Sequence, residues 1–176
     1  MFIQGEGLCL RSSDGRFGIR LEAIHVALLM AECQTAGNRE TGGILIGHYS
    51  RDHAMAFVTE VTTAPMDSRG GTTWFDRGVQ GLKKKLQFSW RKASTFYLGE
   101  WHFHPGAAPN PSPVDSSQMT DIAKSPQYAC PEPLLLIVGG TERQWTVAGY
   151  VYEKVTQRHT LIKCQKEKLQ EGGQDG

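Results

Sequence analysis

Hydrophobic and polar positions repeat with two different periods along the chain, one typical of helices and one typical of strands. Three segments have helical spacing. They are residues 21–33, a segment marked by Val79, Leu82, Leu86 and Trp90, and residues 115–124. Strands are predicted where apolar residues alternate or run together. They cover residues 42–49, 54–62, 95–102, 133–138, 144–152 and 155–162.

The connections between these segments carry turn and loop residues. Residues 50–53 would join the first two strands as a hairpin, and the last two strands would form a second hairpin. Residues 64–73 and 106–113 are rich in Pro, Gly and small polar residues, which predicts loops. The order of elements predicts an α/β (α+β) fold with one mixed, mostly antiparallel β-sheet flanked by helices.

The chain length of 176 residues suits a single domain with its own core. We expect this domain to cover residues 1–164. Residues 165–176 are polar and Gly-rich, which predicts a flexible C-terminal tail.

The charge balance excludes some partner classes. Lys and Arg number 19 and Asp and Glu 18, so the formal net charge is +1. This balance predicts no general attraction to nucleic acid or to an anionic membrane. No apolar run is long enough to span a bilayer, no secretory signal is visible, and the four cysteines form no CxxC pair. We therefore expect a cytoplasmic protein with reduced thiols.

The candidate metal-binding residues lie between residues 99 and 115. His102 and His104 lie two positions apart at the end of a predicted strand, so their side chains share one face. Asp115 would lie in the first turn of the next helix and could supply an oxygen ligand. Two imidazoles and one carboxylate are a typical donor set for zinc with one open position, which indicates a catalytic rather than a structural site.

A simpler interpretation of the same residues is also open. Two histidines on a strand can be ordinary surface residues. Ser112 and Asp115 fit the N-cap and third position of a helix that has Pro113 at its first position. The cap interpretation explains Ser112 and Asp115 but not their distance from the histidines. The two interpretations are compatible, because a fixed helix start would hold a ligand rigidly.

These residues resemble a known motif. The pattern His-x-His-Pro, six residues, Ser, two residues, Asp is similar to the JAMM motif of MPN/JAB-domain metalloproteases. Residues 40–47 resemble the segment that carries the catalytic glutamate of that family. The run Gly-Glu-Trp-His-x-His-Pro resembles the prokaryotic JAB branch, and the resemblance extends loosely over residues 21–152. It implies a single MPN/JAB-like domain with a cytidine-deaminase-like sheet.

The resemblance also implies a role for each matched residue. His102, His104 and Asp115 would bind one Zn²⁺ ion. Glu40 would act as the general acid/base, and Ser112 would donate a hydrogen bond to the oxyanion. Phe103 departs from the family pattern, in which Ser or Thr is common at this position. Its side chain should point away from the metal.

The implied activity is hydrolysis of the amide bond after the C-terminal glycine of a ubiquitin-like modifier. The partner would be the modifier or the modified protein, alongside E1/E2-like enzymes from the same operon, including antiphage defence operons. The modifier tail would add as a strand beside residues 64–73. Two alternatives are a peptidase that trims a sulfur-carrier precursor and a non-catalytic MPN scaffold. Scaffold members typically lose metal ligands, and this chain retains all of them.

Four other features have two interpretations each. Glu100 could orient His102 or be a solvated strand residue. Cys130 could approach the metal or be a packed thiol. His48 could line a substrate groove or be a partly buried structural histidine. Residues 83–85, all lysine, could attract an acidic partner or form a solvated helix face.

Overall fold

The structure is a computed structural model that describes residues 7–141, 144–156 and 158–164. The predicted tail at residues 165–176 lies outside the described residues. The three described helices are α1 (Ala23–Ala36), α2 (Leu82–Ala93) and α3 (Pro113–Lys124). The described strands are β1 (Leu8–Ser12), β2 (Gly18–Leu21), β3 (Thr41–Tyr49), β4 (Ala56–Val61), β5 (Arg69–Gly70), β6 (Phe75–Asp76), β7 (Phe96–Pro105), β8 (Leu134–Thr141), β9 (Gln144–Tyr152) and β10 (His159–Cys164).

Eight of these strands form one sheet that closes into a barrel, in the order β1-β10-β9-β8-β7-β3-β4-β2. The pairs β7–β8 and β2–β4 are parallel, and the other pairs in the barrel are antiparallel. Strands β5 and β6 form a separate two-stranded hairpin. The mixed, mostly antiparallel sheet with flanking helices confirms the predicted fold class. The closure of the sheet was not predicted.

The two faces of the sheet bury different sets of side chains. One face packs against α1 through Val26 and Leu29. The other packs against α3 through Met119 and Ile122. Strand β8 contributes to both faces, since alternate residues of a strand point to opposite sides. Its first six residues are all buried, as is typical of a strand covered on both faces.

The N-terminal hairpin β1–β2 closes the barrel and was missed by the sequence analysis. Its strands have only five and four residues. The turn between them is polar: Ser12 Oγ donates to Asp14 Oδ1 at 2.6 Å, and Arg16 Nε donates to Asp14 Oδ2 at 2.7 Å. The alternation of Leu8 with Leu10 on one side of this turn was the signal that could have revealed it.

The second helix begins later than predicted, and its last predicted apolar residue is exposed. Val79 lies before α2 and is 66% exposed, and Trp90 within the helix is 58% exposed. Leu82 and Leu86 do pack against the core as expected. Lys85 forms an ion pair with Glu60 on β4, and Lys83 and Lys84 are exposed, which fits the interpretation of the lysine run as a solvated helix face.

None of the described helices combines the length and apolar character needed to cross a membrane.

The barrel closure predicts a large stability effect at β1. Leu10 is fully buried. Leu10→Ala should lower the free energy of unfolding by about 2–5 kcal/mol, as is usual for a core leucine that leaves a cavity. The measurement is the urea unfolding midpoint at an unchanged m-value.

Leu161→Ala on β10 is the matched control, because Leu161 is 36% exposed and should cost far less. A loss of under about 1 kcal/mol for Leu10→Ala would mean that β1 does not close the barrel in solution.

Candidate metal centre

The two histidines of the motif are placed by β7. Strand alternation directs Trp101 and Phe103 into the core beside α1 and directs His102 and His104 toward the α3 face. His102 is 3% exposed and His104 is 8% exposed. Their burial contradicts the interpretation as ordinary surface histidines. Phe103 points away from them, as predicted.

The third member of the cluster is fixed by the start of α3. Ser112 Oγ accepts a hydrogen bond from the Asp115 backbone N–H at 3.1 Å, and the Ser112 backbone N–H donates to Asp115 Oδ2 at 2.7 Å. Pro113 occupies the first turn. This reciprocal capping box matches the predicted helix start and fixes the Asp115 carboxylate in one direction.

The three side chains converge on one point. His102 Nδ1 lies 3.0 Å from Asp115 Oδ1, and His104 Nε2 lies 3.6 Å from Asp115 Oδ2. One candidate ligand atom from each residue lies within 4.8 Å of the others. This spacing and donor set fit a small cation such as zinc.

The electrostatics of the cluster also favour a cation. Burial opposes protonation of His102, but the hydrogen bond to Asp115 and the Glu100 carboxylate outweigh it and raise the pKa of His102 to about 9. Burial disfavours the charge on Asp115, but the hydrogen bond with His102 prevails and lowers its pKa to about 2. Burial lowers the pKa of His104, so this imidazole is neutral, as a metal ligand must be.

Glu40 reaches the cluster through the pairing of β3 with β7. It directly precedes β3, and the second residue of that strand, Gly42, lies opposite His102. The Glu40 backbone N–H donates to the carbonyl of Gly71 at 2.7 Å. The side chain is half-buried. Burial raises its pKa, the charge of Asp115 raises it further, and His102 partly opposes both effects.

The hairpin β5–β6 borders the same site. The edge of the Phe75 ring meets His102, with the ring centroids 5.7 Å apart. A Cβ atom at Gly70 would meet the Glu40 carbonyl oxygen at 2.6 Å, so only glycine permits this approach. The segment 64–73, predicted as a loop, therefore contains one strand of a short hairpin.

Glu100 is not a solvated strand residue. It is fully buried and pairs with Arg77, whose Nη2 lies 2.7 Å from Glu100 Oε1. Burial raises the pKa of Glu100, but His102 and Arg77 outweigh it and lower the pKa overall. Arg77 was not predicted from the sequence, because a single arginine after a loop gives no sign that its side chain is buried.

Two other candidates lie away from the cluster. Cys130 is buried, its thiol donates to the Leu98 carbonyl at 3.8 Å, and burial raises its pKa to about 11. It is a packed thiol. His48 is exposed and stacks on Phe57 near the far end of β3 from Glu40, so its interpretation as a partly buried structural histidine is wrong.

Comparisons with known proteins relate the chain to one family. Residues 22–148 match a family model described as prokaryotic homologs of the JAB domain. A protein of Enterobacter hormaechei named CD-NTase/cGAS isopeptidase is 47% identical over 130 residues, which cover 73% of this chain and 72% of the relative. A protein of Sinorhizobium fredii named probable metalloprotease is 24% identical and covers 70% of this chain and 76% of its own length.

The fold itself recurs in a solved structure. The solution structure of a Desulfitobacterium hafniense protein superposes with a TM-score of 0.52 at 17% identity. The match covers 81% of this chain and 86% of the other. At this identity the likeness concerns the fold alone.

The capping box predicts a measurable effect on stability. Ser112→Ala removes the acceptor for the Asp115 backbone N–H and should lower the free energy of unfolding by about 1 kcal/mol. Chemical denaturation with and without a chelator would measure it. Ser117→Ala, at an exposed position of α3, should be close to neutral and is the control. Equal effects of the two changes would contradict the cap.

Proposed function

Because this chain belongs to the prokaryotic homologs of the JAB domain and is a hydrolase, we propose that it is a zinc-dependent isopeptidase. The substrate bond would be the amide after the C-terminal glycine of a ubiquitin-like modifier. The observation that supports this most is the convergence of His102, His104 and Asp115 beside Glu40.

His102, His104 and Asp115 would hold the zinc ion. Three protein ligands leave one position of tetrahedral zinc open to solvent or substrate. When bound, zinc acts as a Lewis acid and lowers the pKa of a coordinated water to about 7. Both imidazoles are buried, and one candidate ligand atom from each of the three residues already lies within 4.8 Å of the others.

Glu40 would carry the proton that is transferred during hydrolysis. Its carboxylate would accept a proton from the attacking water and then donate it to the leaving amine. Burial raises the pKa of the Glu40 carboxyl, so the group holds an accepted proton more readily than an exposed glutamate would until the leaving amine takes it. The Glu40 backbone is held by Gly71, which fixes the approach of the side chain to the site.

Ser112 would stabilise the oxyanion. Its oxygen already accepts the Asp115 backbone N–H, which leaves the hydroxyl proton free to donate. A donor fixed before the reaction begins typically contributes about 10²–10³-fold to turnover.

The hairpin β5–β6 is our candidate for the substrate edge. An extended modifier tail could pair with this short hairpin through its backbone. Gly70 and Gly71 lie against Glu40, so the hairpin backbone comes close to the proposed general base. A modifier that ends in glycine would in turn approach the metal without steric hindrance.

The name of one relative supports a proposal for the target. Since a 47% identical protein is named CD-NTase/cGAS isopeptidase, we infer that the modified partner is a CD-NTase-like protein in a bacterial conjugation system with E1/E2-like enzymes. The protein would remove the modifier from this partner during antiphage defence. The same name favours deconjugation over trimming of a sulfur-carrier precursor.

Two variants separate metal binding from proton transfer. Glu40→Gln should retain one zinc per chain and lose cleavage by about 10²–10⁴-fold, because only the proton carrier is removed. His102→Ala should lose both zinc and cleavage. Zinc content by mass spectrometry and cleavage of a modifier–reporter fusion, joined at the modifier's C-terminal glycine, are the two measurements.

His48→Ala is the control, since this exposed histidine lies away from the cluster and should leave both measurements unchanged. Full cleavage by Glu40→Gln would exclude Glu40 as the acid/base. Absence of metal from the wild-type protein, purified without chelator and supplied with zinc, would exclude the metallo-isopeptidase.

A further inference from the structure

A buried polar network lies behind His102, on the side of the ring away from Asp115. Nδ1 of the ring faces Asp115, and Nε2 faces Glu100 Oε2 at 3.5 Å. Nε2 is buried and has no hydrogen-bond partner within normal range. A buried ring N–H needs an acceptor, and Glu100 is the carboxylate nearest to it among the contacts described.

Glu100 is itself held from several directions. Its Oε1 accepts from Arg77 Nη2 at 2.7 Å and from the Tyr97 hydroxyl at 3.3 Å. Its Oε2 accepts from Gln118 Nε2 on α3 at 3.3 Å. These contacts fix the carboxylate and leave Oε2 directed toward His102.

Arg77 connects this network to the hairpin. It directly follows β6, its side chain is 4% exposed, and its Nη1 donates to the Gly78 carbonyl at 2.9 Å. A buried guanidinium and a buried carboxylate are costly to desolvate, so pairing alone is a weak reason to place them here. Glu100, the carboxylate of this pair, also lies against His102, with Oε2 at 3.5 Å from Nε2.

We propose that Glu100, held by Arg77, is a positioning residue for His102. It accepts the N–H of the ring nitrogen that faces away from Asp115, and so fixes the tautomer and the plane of the imidazole that binds the metal. A carboxylate in this place makes the imidazole a better ligand, and its loss typically weakens metal affinity or activity by 10–100-fold. The inference rests on the proposed metal site.

The main variant is Glu100→Gln, which keeps the size of the side chain and removes its charge. We expect zinc affinity, measured by competition with a chelating dye, to fall by about 10–100-fold. The visible absorption bands of the Co²⁺-loaded protein should shift, because the ligand field of His102 changes. Glu60→Gln on β4 is the matched control, since Glu60 pairs with Lys85 and lies outside the network.

Glu100→Gln also leaves the buried Arg77 without its partner charge and can destabilise the protein for that reason alone. The double variant Arg77→Met/Glu100→Gln removes both charges. A positioning role predicts that the double variant regains the wild-type thermal midpoint of the chelator-treated protein while its zinc affinity stays at the weakened value.

Three outcomes would overturn the inference. Unchanged zinc affinity and Co²⁺ spectrum in a folded Glu100→Gln variant would show that Glu100 does not act on His102. Recovery of zinc affinity together with stability in the double variant would show a purely structural role. Failure of the wild-type protein to bind zinc would overturn both this inference and the proposed function, and is distinguished from the first two outcomes by the wild-type titration.

Discussion

The register of β7 between β3 and β8 is the constraint on which the site depends. Trp101 is fully buried, and its indole N–H donates to the Thr62 carbonyl at 2.8 Å, which pins the strand in one register. A slip of one residue would exchange the two faces, turning Trp101 toward α3 and His102 into the core beside α1. In this register Trp101 and Phe103 point toward α1, and His102 and His104 point toward Asp115 of α3.

Three further elements complete the site around that strand. The capping box of α3 fixes Asp115 against both histidines. Pairing of β3 with β7 brings Glu40 to the same end of the sheet. The hairpin β5–β6 is tied to the site through Gly71 at Glu40 and through Arg77 at Glu100. The proposed catalytic groups and the proposed substrate edge are thus parts of one connected structure.

Some of this could be predicted from the sequence and some could not. The spacing of His102, His104 and Asp115 is local, and strand alternation and helix capping are rules that act over a few residues. The position of Glu40 depends on the pairing of distant strands, so only the family resemblance pointed to it.

The pairing of Arg77 with Glu100 could not be predicted from the sequence for a related reason. Lys and Arg are almost never fully buried unless paired, and the partner is set by tertiary packing. The hairpin β1–β2 was missed because its strands are short and its turn is charged. The apolar pattern that predicted the second helix included Val79, which lies before α2, and Trp90, which is exposed within it, because large apolar residues can also stay on the protein surface.

The most direct test of the account is anomalous diffraction at the zinc edge from crystals of the zinc-loaded protein. The account predicts one strong peak at about 2.0–2.2 Å from a ring nitrogen of His102, a ring nitrogen of His104 and a carboxylate oxygen of Asp115, with a position left for solvent. A peak elsewhere, with these three side chains free of metal, would contradict it.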